Sequence, residues 1–346
     1  MRRLFLILLL TAVPALAQVG TTDGPKGVVV NSANGKVYAA FPELGVVKIV
    51  KGTDVKTLAT GANVKDLTLD PRTGLVYAMN RGPGTVSVID PNSDAVVQTI
   101  KADRGSLTAL NPVTNKLYVS ASTGTDPSVV DLASGETTVI HAGTEGNALS
   151  VDARSNRIYF VGYEDNFLTI VDGRTLQPTR LTVPGWHQWD SAFDETRGKL
   201  YLPSPNSNAV TLVDTAHGDT VSTIGTGGSP VAVAVNRTTG RVYVVNYETS
   251  DVTVIENNAP IATVKIGLWP QQIAINEKTG RVYVASMHDH SVSVIDGKTN
   301  TLMAKVAANT PWSLAVDDKT NTIYAANRLG GMVTVIDGRT NSATER

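Results

Sequence analysis

One unit of about 41 residues repeats eight times along the chain. Asn or Asp stands seven residues before each of eight tyrosines, and Asp or Glu stands thirteen residues after seven of the eight. These tyrosines recur at steps of 39 to 42 residues: Tyr38, Tyr77, Tyr118, Tyr159, Tyr201, Tyr243, Tyr283 and Tyr324. Spacings that stay in phase over eight units do not come from composition alone. They mark a structural repeat, and a period near 40 is typical of propeller blades or of helical arrays.

The residues within each unit favour strands over helices. Runs such as 252–255 (Val-Thr-Val-Ile) and 292–295 (Val-Ser-Val-Ile) are rich in β-branched residues and alternate as half-buried strands do, and no long helical period occurs anywhere. Each unit therefore contains four predicted strands, which we call A, B, C and D. In the sixth unit these strands are predicted at residues 231–235, 241–245, 252–255 and 261–266.

The repeated Asn or Asp begins a tight turn between strands A and B. In the sixth unit the turn runs from Asn236 to Gly240, and the second and seventh units have equivalent turns that end in Gly74 and Gly280. An Asn or Asp at the first position accepts hydrogen bonds from the turn backbone, and Gly or Asn at the last position tolerates a positive φ. We therefore interpret the repeated Asn and Asp residues as turn formers.

A four-stranded unit of this length cannot bury both of its faces alone. When such units are arranged radially, each blade covers the next, and closure of the ring protects the sheet edges. We therefore predict an all-β fold, a β-propeller of four-stranded antiparallel blades, with eight blades favoured and seven as the alternative. The ring is predicted to be a single domain over residues 18–346, and residues 341–346 are expected to form a shortened outer strand of the last blade.

The first 17 residues have the parts of an export signal. Two arginines precede an unbroken apolar run at residues 4–10, and residues 15–17 (Ala-Leu-Ala) give the small-x-small pattern that signal peptidases accept. The apolar run is too short for a stable membrane span, which needs about 20 residues. We therefore predict a signal peptide over residues 1–17 and a periplasmic or secreted protein, with no membrane span after cleavage.

Composition excludes several kinds of chemistry. The sequence contains no cysteine, which rules out disulfides, thiolate metal sites, cysteine nucleophiles and covalent attachment of haem. Thirty Lys and Arg against 31 Asp and Glu give a net charge of −1, which becomes −3 when the two arginines of the signal are removed. Such a chain does not favour nucleic acid as a partner. We expect a monomer.

The repeat resembles one known family of propellers. Arg241–Asn246, with the sequence RVYVVN, is followed by VTVIE at residues 252–256, and Arg281–Ser286 and Thr322–Asn327 follow the same pattern. These segments resemble the YVTN repeat of bacterial and archaeal β-propellers, which belong to a wider group that includes lactonases. The resemblance covers nearly all of residues 18–346 and implies the fold. It implies no active-site residue, because the shared motif is the scaffold itself.

Where the eight units differ, the unusual side chains fall on one face. Strand A runs away from the loop that joins it to the preceding strand D, and strand B returns, so the D–A and B–C loops share a face. All four tryptophans lie in D–A loops of the later units, whereas cations gather in the first three units. Aromatic surfaces that face cationic donors suit a ligand site. The predicted ligand-binding residues are Lys26, Lys65, Arg104, His187, Trp189, Trp269, Gln271, Trp312, His288 and His290.

Two classes of function follow from this face. The first is a non-enzymatic exported propeller that binds a small ligand, a polymer or a partner protein through its D–A and B–C loops. The second is a lactonase-like or lyase-like enzyme, in which Glu145, Glu164 or Asp190 works with His187 as an acid–base pair on the same face. A third interpretation gives the tryptophans no ligand, because they can also fill the channel as packing.

One histidine cluster bears on cofactors. His288 and His290 flank Asp289 in the B–C loop of the seventh unit, and two imidazoles beside a carboxylate can ligate a divalent metal if another loop supplies a third ligand. Polar loop residues are the simpler interpretation. We therefore predict no catalytic residue, no metal site and no cofactor, and leave a divalent metal as the alternative.

Overall fold

The structure, a computed structural model, describes residues 24–121, 125–144, 146–162, 166–185 and 188–346. Within these ranges the chain forms eight antiparallel sheets, each made of four strands that are consecutive in sequence and paired in the order A-B-C-D. The A strands of neighbouring sheets contact one another, which places them innermost around a common axis. The predicted all-β propeller of eight four-stranded blades is confirmed, and the seven-bladed alternative is wrong.

The first four blades contain sixteen strands. In order from A to D, they are Gly27–Asn31, Lys36–Phe41, Val46–Lys51 and Asp54–Ala59 in blade 1; Val64–Leu69, Val76–Asn80, Thr85–Asp90 and Ala95–Lys101 in blade 2; Thr108–Asn111, Lys116–Val119, Ser128–Asp131 and Thr137–Val139 in blade 3; and Ala148–Asp152, Arg157–Val161, Phe167–Asp172 and Pro178–Thr182 in blade 4.

The last four blades contain the other sixteen. They are Ala192–Asp194, Lys199–Ser204, Ala209–Asp214 and Thr220–Gly225 in blade 5; Pro230–Asn236, Arg241–Asn246, Asp251–Glu256 and Ala259–Lys265 in blade 6; Pro270–Asn276, Arg281–Ser286, Ser291–Asp296 and Thr301–Ala307 in blade 7; and Pro311–Asp317, Thr322–Asn327, Val333–Asp337 and Ser342–Glu345 in blade 8. Two short 3-10 helices, Pro205–Ser207 and Thr215–His217, interrupt blade 5. No helix in the described part of the chain could cross a membrane.

The repeated tyrosines lie between blades. Tyr243 of blade 6 is 1% exposed and packs against Val282 and Val284 of strand B in blade 7. Its hydroxyl donates a hydrogen bond of 3.4 Å to the carbonyl oxygen of Gly297, also in blade 7. Six of the other tyrosines are similarly buried, and Tyr324 is half-buried against blade 1. The repeat therefore supplies the apolar contacts that join each blade to the next.

The repeated Asn and Asp residues form the predicted turns. Asn236 Oδ1 accepts hydrogen bonds of 3.1 Å from the backbone N–H groups of Thr238 and Thr239, and the other seven residues accept equivalent bonds. The closing residue has a positive φ in all eight turns: Gly35, Gly74, Asn115, Asn156, Gly198, Gly240, Gly280 and Asn321. The assignment of these residues to turns is confirmed.

The ring closes by packing between the first and last blades. The outer strand of blade 8 is Ser342–Glu345, as predicted for the shortened final strand. Val28 and Val37 of blade 1 pack against Ala326 of blade 8, and Gly24 N–H donates a 3.2 Å hydrogen bond to the carbonyl oxygen of Arg328. Within the described residues, each of these two blades is built from its own consecutive segment.

Candidate functional site

A cavity of about 600 Å³ opens at one end of the central channel. Hydrogen bonds connect the B–C loop to the D–A loop of the same blade here, as between Tyr247 N and Ser229 O (2.9 Å) and between Arg328 N and Thr310 O (3.0 Å). The two kinds of loop therefore share this face. The cavity is lined by residues of seven blades: Asp66, Leu107, Thr108, Asn147, Ala148, Leu149, Trp189, Asp190, Ser191, Ser229, Val231, Ala232, Tyr247, Gln271, Gln272 and Trp312.

A local irregularity of the backbone directs side chains into this mouth. In blades 2, 6, 7 and 8 the register of strand A shifts by one residue against strand B, which leaves one bulged residue: Lys65, Val231, Gln271 and Trp312. A bulge breaks the alternation of side chains and commonly re-aims one of them near a binding site. Three of the four bulged residues line the cavity. The bulge explains why the residue at this position faces the channel.

Aromatic rings form much of the wall. Trp189 of blade 5 is 55% exposed, and Trp312 of blade 8 lies on the other side of blades 6 and 7 along the ring. The guanidinium carbon of Arg328 lies 4.9 Å from the centre of the Trp312 ring. Between these blades, Gln271 approaches the Met287 sulfur at 3.8 Å through its Nε2 atom. The structure thus brings three of the predicted residues, Trp189, Gln271 and Trp312, to one cavity.

A second aromatic group lies on the rim beside the cavity. The rings of Trp269 and His288 are 3.8 Å apart between centres, and Tyr247, which lines the cavity, lies 5.5 Å from Trp269. Trp269 has a φ of +51° and is 45% exposed. The residues at the same position of blades 2, 6 and 8 also have a positive φ, so the conformation belongs to the scaffold, and only the bulky side chain is unusual in it. Through their contact with Tyr247, Trp269 and His288 adjoin the cavity, but neither of them lines it.

Two carboxyl groups lie deep in the channel. Asp66 Oδ2 accepts hydrogen bonds from the backbone N–H (2.7 Å) and hydroxyl (3.0 Å) of Thr108 in blade 3. Asp190 accepts one from Ser191 N–H (2.8 Å) and one from Val233 N–H of blade 6 (3.0 Å). Each carboxyl thus accepts a hydrogen bond from a backbone N–H group at the inner edge of the next blade. Strand A is the innermost strand of its sheet, so these N–H groups have no neighbouring strand to pair with.

Burial changes the acidity of these two groups. It raises the pKa of Asp66 and of Asp190 from 3.8 to about 6, while the hydrogen bonds they accept act in the opposite direction. Both side chains remain half-buried, because the cavity reaches them from the mouth. They are therefore the carboxyls of this site that titrate nearest to neutral pH.

The three predicted cations lie on the rim and are not part of the cavity lining. Lys26 forms an ion pair with Glu43 of its own blade, and Arg104 is exposed. Burial, followed by the positive charges of Lys26 and Arg81, lowers the pKa of Lys65. The cations of blades 1 and 2 therefore form a rim cluster around Glu43, and their part in ligand binding stays a prediction.

The remaining predicted residues do not join the cavity. His290 faces a separate groove with Asn309 and Glu345 at the junction of blades 7 and 8. His187 lies outside the described residues, as do Trp186, Glu145 and Glu164. Within the described residues no three His, Cys, Asp or Glu side chains converge as a metal site would require.

The sequence interpretation missed Asp66 as a lining residue. Strand A residues at its position are apolar, small or amide-bearing in six blades, and they are acidic only at Asp66 and Asp190. Alignment of the eight units one position further along would have shown these two acids. The bulge gave no comparable signal, because it depends on how strand A pairs with strand B.

The fold and the cavity together define a β-propeller with a pocket of ligand size at its channel mouth. No protein-family model matches the sequence, and no curated protein is similar to it in sequence. The solved structures that share the fold include two β-propeller proteins.

The first structure is dihydro-heme d1 dehydrogenase NirN in complex with DHE, with a TM-score of 0.70 and 13% sequence identity. The aligned region covers 82% of this chain and 66% of that one, so the chain spans just under two thirds of NirN. The second is hydrazine synthase of Kuenenia stuttgartiensis, with a TM-score of 0.60, 16% identity, and coverage of 96% and 98%. At these identities the similarity shows the fold alone.

Proposed function

We propose that this chain is a non-enzymatic propeller that binds a small ligand in the cavity at its channel mouth. One observation carries the proposal: the residues that break the repeat at Trp189, Gln271 and Trp312 come from three different blades and line the same cavity. The repeat does not require tryptophan at these positions, because most of the other units lack it, and Trp189 is 55% exposed. The residues therefore serve something other than the scaffold.

The size and chemistry of the cavity suit a small molecule better than a polymer. A volume of about 600 Å³ lies within the range of typical ligand pockets, about 300–1,000 Å³. Its wall combines rings and aliphatic groups, such as Trp312 and Leu149, with a few polar groups, such as Asn147 and Gln271. Pockets of this kind bury an apolar ligand and orient it through a small number of hydrogen bonds.

The proposal includes the family and the location. The YVTN-like segments, of which Arg241–Asn246 is the clearest, support membership in that group of exported propellers. The pattern of residues 1–17 supports export to the periplasm or the medium. That NirN was solved in complex with DHE is consistent with ligand binding by a propeller of this shape, although it does not specify the ligand here.

A neutral fluorescent probe tests the cavity directly. N-phenyl-1-naphthylamine fluoresces in apolar sites, and we expect one molecule to bind per chain. Trp189→Ala and Trp312→Ala should each weaken binding by about tenfold or more, because each removes a ring from the wall. Leu44→Ala is the matched control, since Leu44 is an exposed apolar residue in the B–C loop of blade 1 and does not line the cavity.

Two results would contradict the proposal. One is an absence of saturable binding to the wild-type protein. The other is binding that both tryptophan variants retain and Leu44→Ala abolishes. Thermal denaturation of every variant separates a lost site from a lost fold.

An enzyme on the same face is the second candidate. The raised pKa of Asp190 favours it, because a carboxyl that titrates near pH 6 can donate or accept a proton close to neutral pH. Turnover of a lactone panel that disappears in Asp190→Asn, with binding of the neutral probe retained, would support the enzyme. No turnover by the wild-type protein would favour the binding protein.

A further inference from the structure

The electrostatics of the cavity differ from those of its rim. Its described lining includes two acidic residues, Asp66 and Asp190, and no Lys, Arg or His. The cations of the rim cluster, Lys26 and Lys65, lie outside this lining, as does Arg328, which packs on the Trp312 ring. When both carboxyls are ionised, the cavity therefore carries two negative charges that no basic residue of its described wall neutralises.

Both carboxyls retain capacity for a ligand. A carboxylate offers about four acceptor positions. Asp190 uses two of these for the backbone N–H groups of Ser191 and Val233, and Asp66 uses some of its own for Thr108 and Leu67. These bonds hold the carboxyls in place at the inner edges of the blades. Each carboxyl is therefore fixed before a ligand arrives, and each still lines the cavity.

The aromatic wall suits the same kind of ligand. The faces of tryptophan and tyrosine rings attract cations, and the attraction grows when water is excluded. Trp312 already makes such a contact within the protein, with the Arg328 guanidinium 4.9 Å from its ring centre. Trp189 and Tyr247 supply further rings on the wall. The aromatic rings and the carboxylates of the cavity wall thus both favour a ligand with a positive charge.

We propose that the cavity binds an organic cation, in which a flat apolar body lies among Trp189, Tyr247 and Trp312 and the positive charge is attracted by the carboxyls of Asp66 and Asp190. This inference rests on the proposed function and narrows it to a ligand class. An anionic ligand would meet two carboxylates in a partly desolvated site, where repulsion between like charges is strong.

The surroundings of the two carboxyls make such binding dependent on pH. On neighbouring strands the charged residues Lys36, Asp152 and Lys199 lie at the opposite, turn end, since they pair with or belong to the A–B turns. Lys65 adjoins Asp66 on the same strand but belongs to the rim cluster. Protonation of Asp66 and Asp190 near pH 6 should therefore weaken binding of a cation.

Three probes of one shape and different charge test the inference: 2-naphthamidine, 2-naphthamide and 2-naphthoate. The amidinium stays cationic and the carboxylate stays anionic between pH 5 and pH 8. By titration calorimetry at pH 8, the amidine should bind at least tenfold more tightly than the amide, and the naphthoate should bind weakest. At pH 5 the ratio of amidine to amide affinity should fall toward one.

Charge-neutral variants test the residues. Asp66→Asn combined with Asp190→Asn should reduce the ratio of amidine to amide affinity at pH 8 to about one, since it removes both charges while each Asn keeps an oxygen for the backbone donors. Asp103→Asn is the matched control, because it removes one negative charge from the D–A loop of blade 3 without touching the cavity. If the double variant does not fold, each single variant should lower the ratio by itself.

The outcomes separate this inference from the proposed function. Tightest binding by 2-naphthoate, or a ratio that the Asp variants leave unchanged, would overturn the organic cation and keep the ligand pocket. No binding of any of the three probes at either pH would overturn both. A tenfold ratio that is lost in the double variant and kept in Asp103→Asn would support the inference.

Discussion

The two ends of the propeller use the same strands for different purposes. At the turn end, all eight units repeat one arrangement, in which a buried Asn or Asp accepts backbone hydrogen bonds and a residue of positive φ closes the turn. At the mouth, corresponding positions carry residues as different as Lys65, Val231 and Trp312. Residues that are the same in all eight units are those that closure of the ring requires. Residues that differ among the units are not required for closure.

The mouth also tolerates backbone conformations that its side chains do not favour. Trp269 takes a left-handed conformation at the position where blade 2 has Asn63 and blade 6 has Ser229. Asn adopts this conformation readily, whereas a bulky residue does so at a cost. In the A–B turns only Gly and Asn close with a positive φ, whereas at the mouth Ser229, Trp269 and Thr310 also take one. Four predictions test this comparison.

The largest effect should come from a scaffold tyrosine. Tyr243→Ala should lower the free energy of unfolding by about 3–5 kcal/mol, because it leaves a cavity between blades 6 and 7. Tyr243→Phe is the control and should cost about 1 kcal/mol or less, since it loses only the weak hydrogen bond to Gly297. Trp189→Ala at the mouth should cost under about 1 kcal/mol in the same urea denaturation. A loss at Trp189 equal to that at Tyr243 would make the mouth tryptophan a packing residue.

The next effect should come from a turn. Asn276 Oδ1 accepts bonds from Lys278 N–H (3.1 Å) and Thr279 N–H (3.0 Å), and Nδ2 donates to Asn321 Oδ1 of blade 8 (2.8 Å). Asn276→Ala should therefore destabilise the protein by about 1–3 kcal/mol, because it removes the acceptor of both turn N–H groups and the donor to Asn321 Oδ1. Asn276→Asp keeps the turn acceptors and loses the donor to blade 8, so its loss measured by denaturation should be smaller. If both variants lose the same stability, the whole effect comes from the hydrogen bond between Asn276 and Asn321 of blade 8.

A smaller effect of opposite sign should come from the channel carboxyls. Their folded-state pKa of about 6 lies above the ordinary 3.8, so the stability each contributes is present below pH 4 and is lost as the pH rises through 6. Asp66→Asn should remove this loss. The variant should therefore gain more stability relative to wild type at pH 8 than at pH 4.5. We expect about 1 kcal/mol, well under the roughly 3 kcal/mol that two pKa units would carry in a dry site.

Denaturation at both pH values checks the carboxyls, and Asp103→Asn is the control that should show no such difference. Asp190→Asn should behave as Asp66→Asn does. A variant whose stability relative to wild type is the same at pH 4.5 and pH 8 would show that its carboxyl is not destabilised in the folded protein.

The smallest effect should come from the strained rim. Trp269→Asn should leave the free energy of unfolding unchanged or raise it by up to about 1 kcal/mol, because relief of the left-handed conformation offsets the lost contacts with Tyr247 and His288. Leu268→Asn serves as the comparison, since this neighbour is also exposed (58% against 45%) and has no positive φ. A loss above about 2 kcal/mol at Trp269 would mean that the aromatic group supports the fold.

The sequence by itself determined the ring. The phase of the tyrosines and of the Asn and Asp turn formers predicted eight blades, four strands in each, and strand limits in blade 6 within two residues of those observed. These features could be predicted because they are local: a turn depends on five consecutive residues, and a strand depends on alternation within six. Because the pattern repeats over eight units, units that depart from it at single positions could still be aligned with the others.

The cavity was decided by the tertiary structure. Trp189, Gln271 and Trp312 were predicted to share a face, but Gln271 and Trp312 reach the cavity through bulges that appear only when strand A pairs with strand B. The acidity of the cavity depends on Asp66 and Asp190, which lie 124 positions apart in the chain and line one channel only because the ring closes. Side chains from distant blades meet at the axis, so their charge, burial and mutual distance follow from closure and not from any segment of sequence.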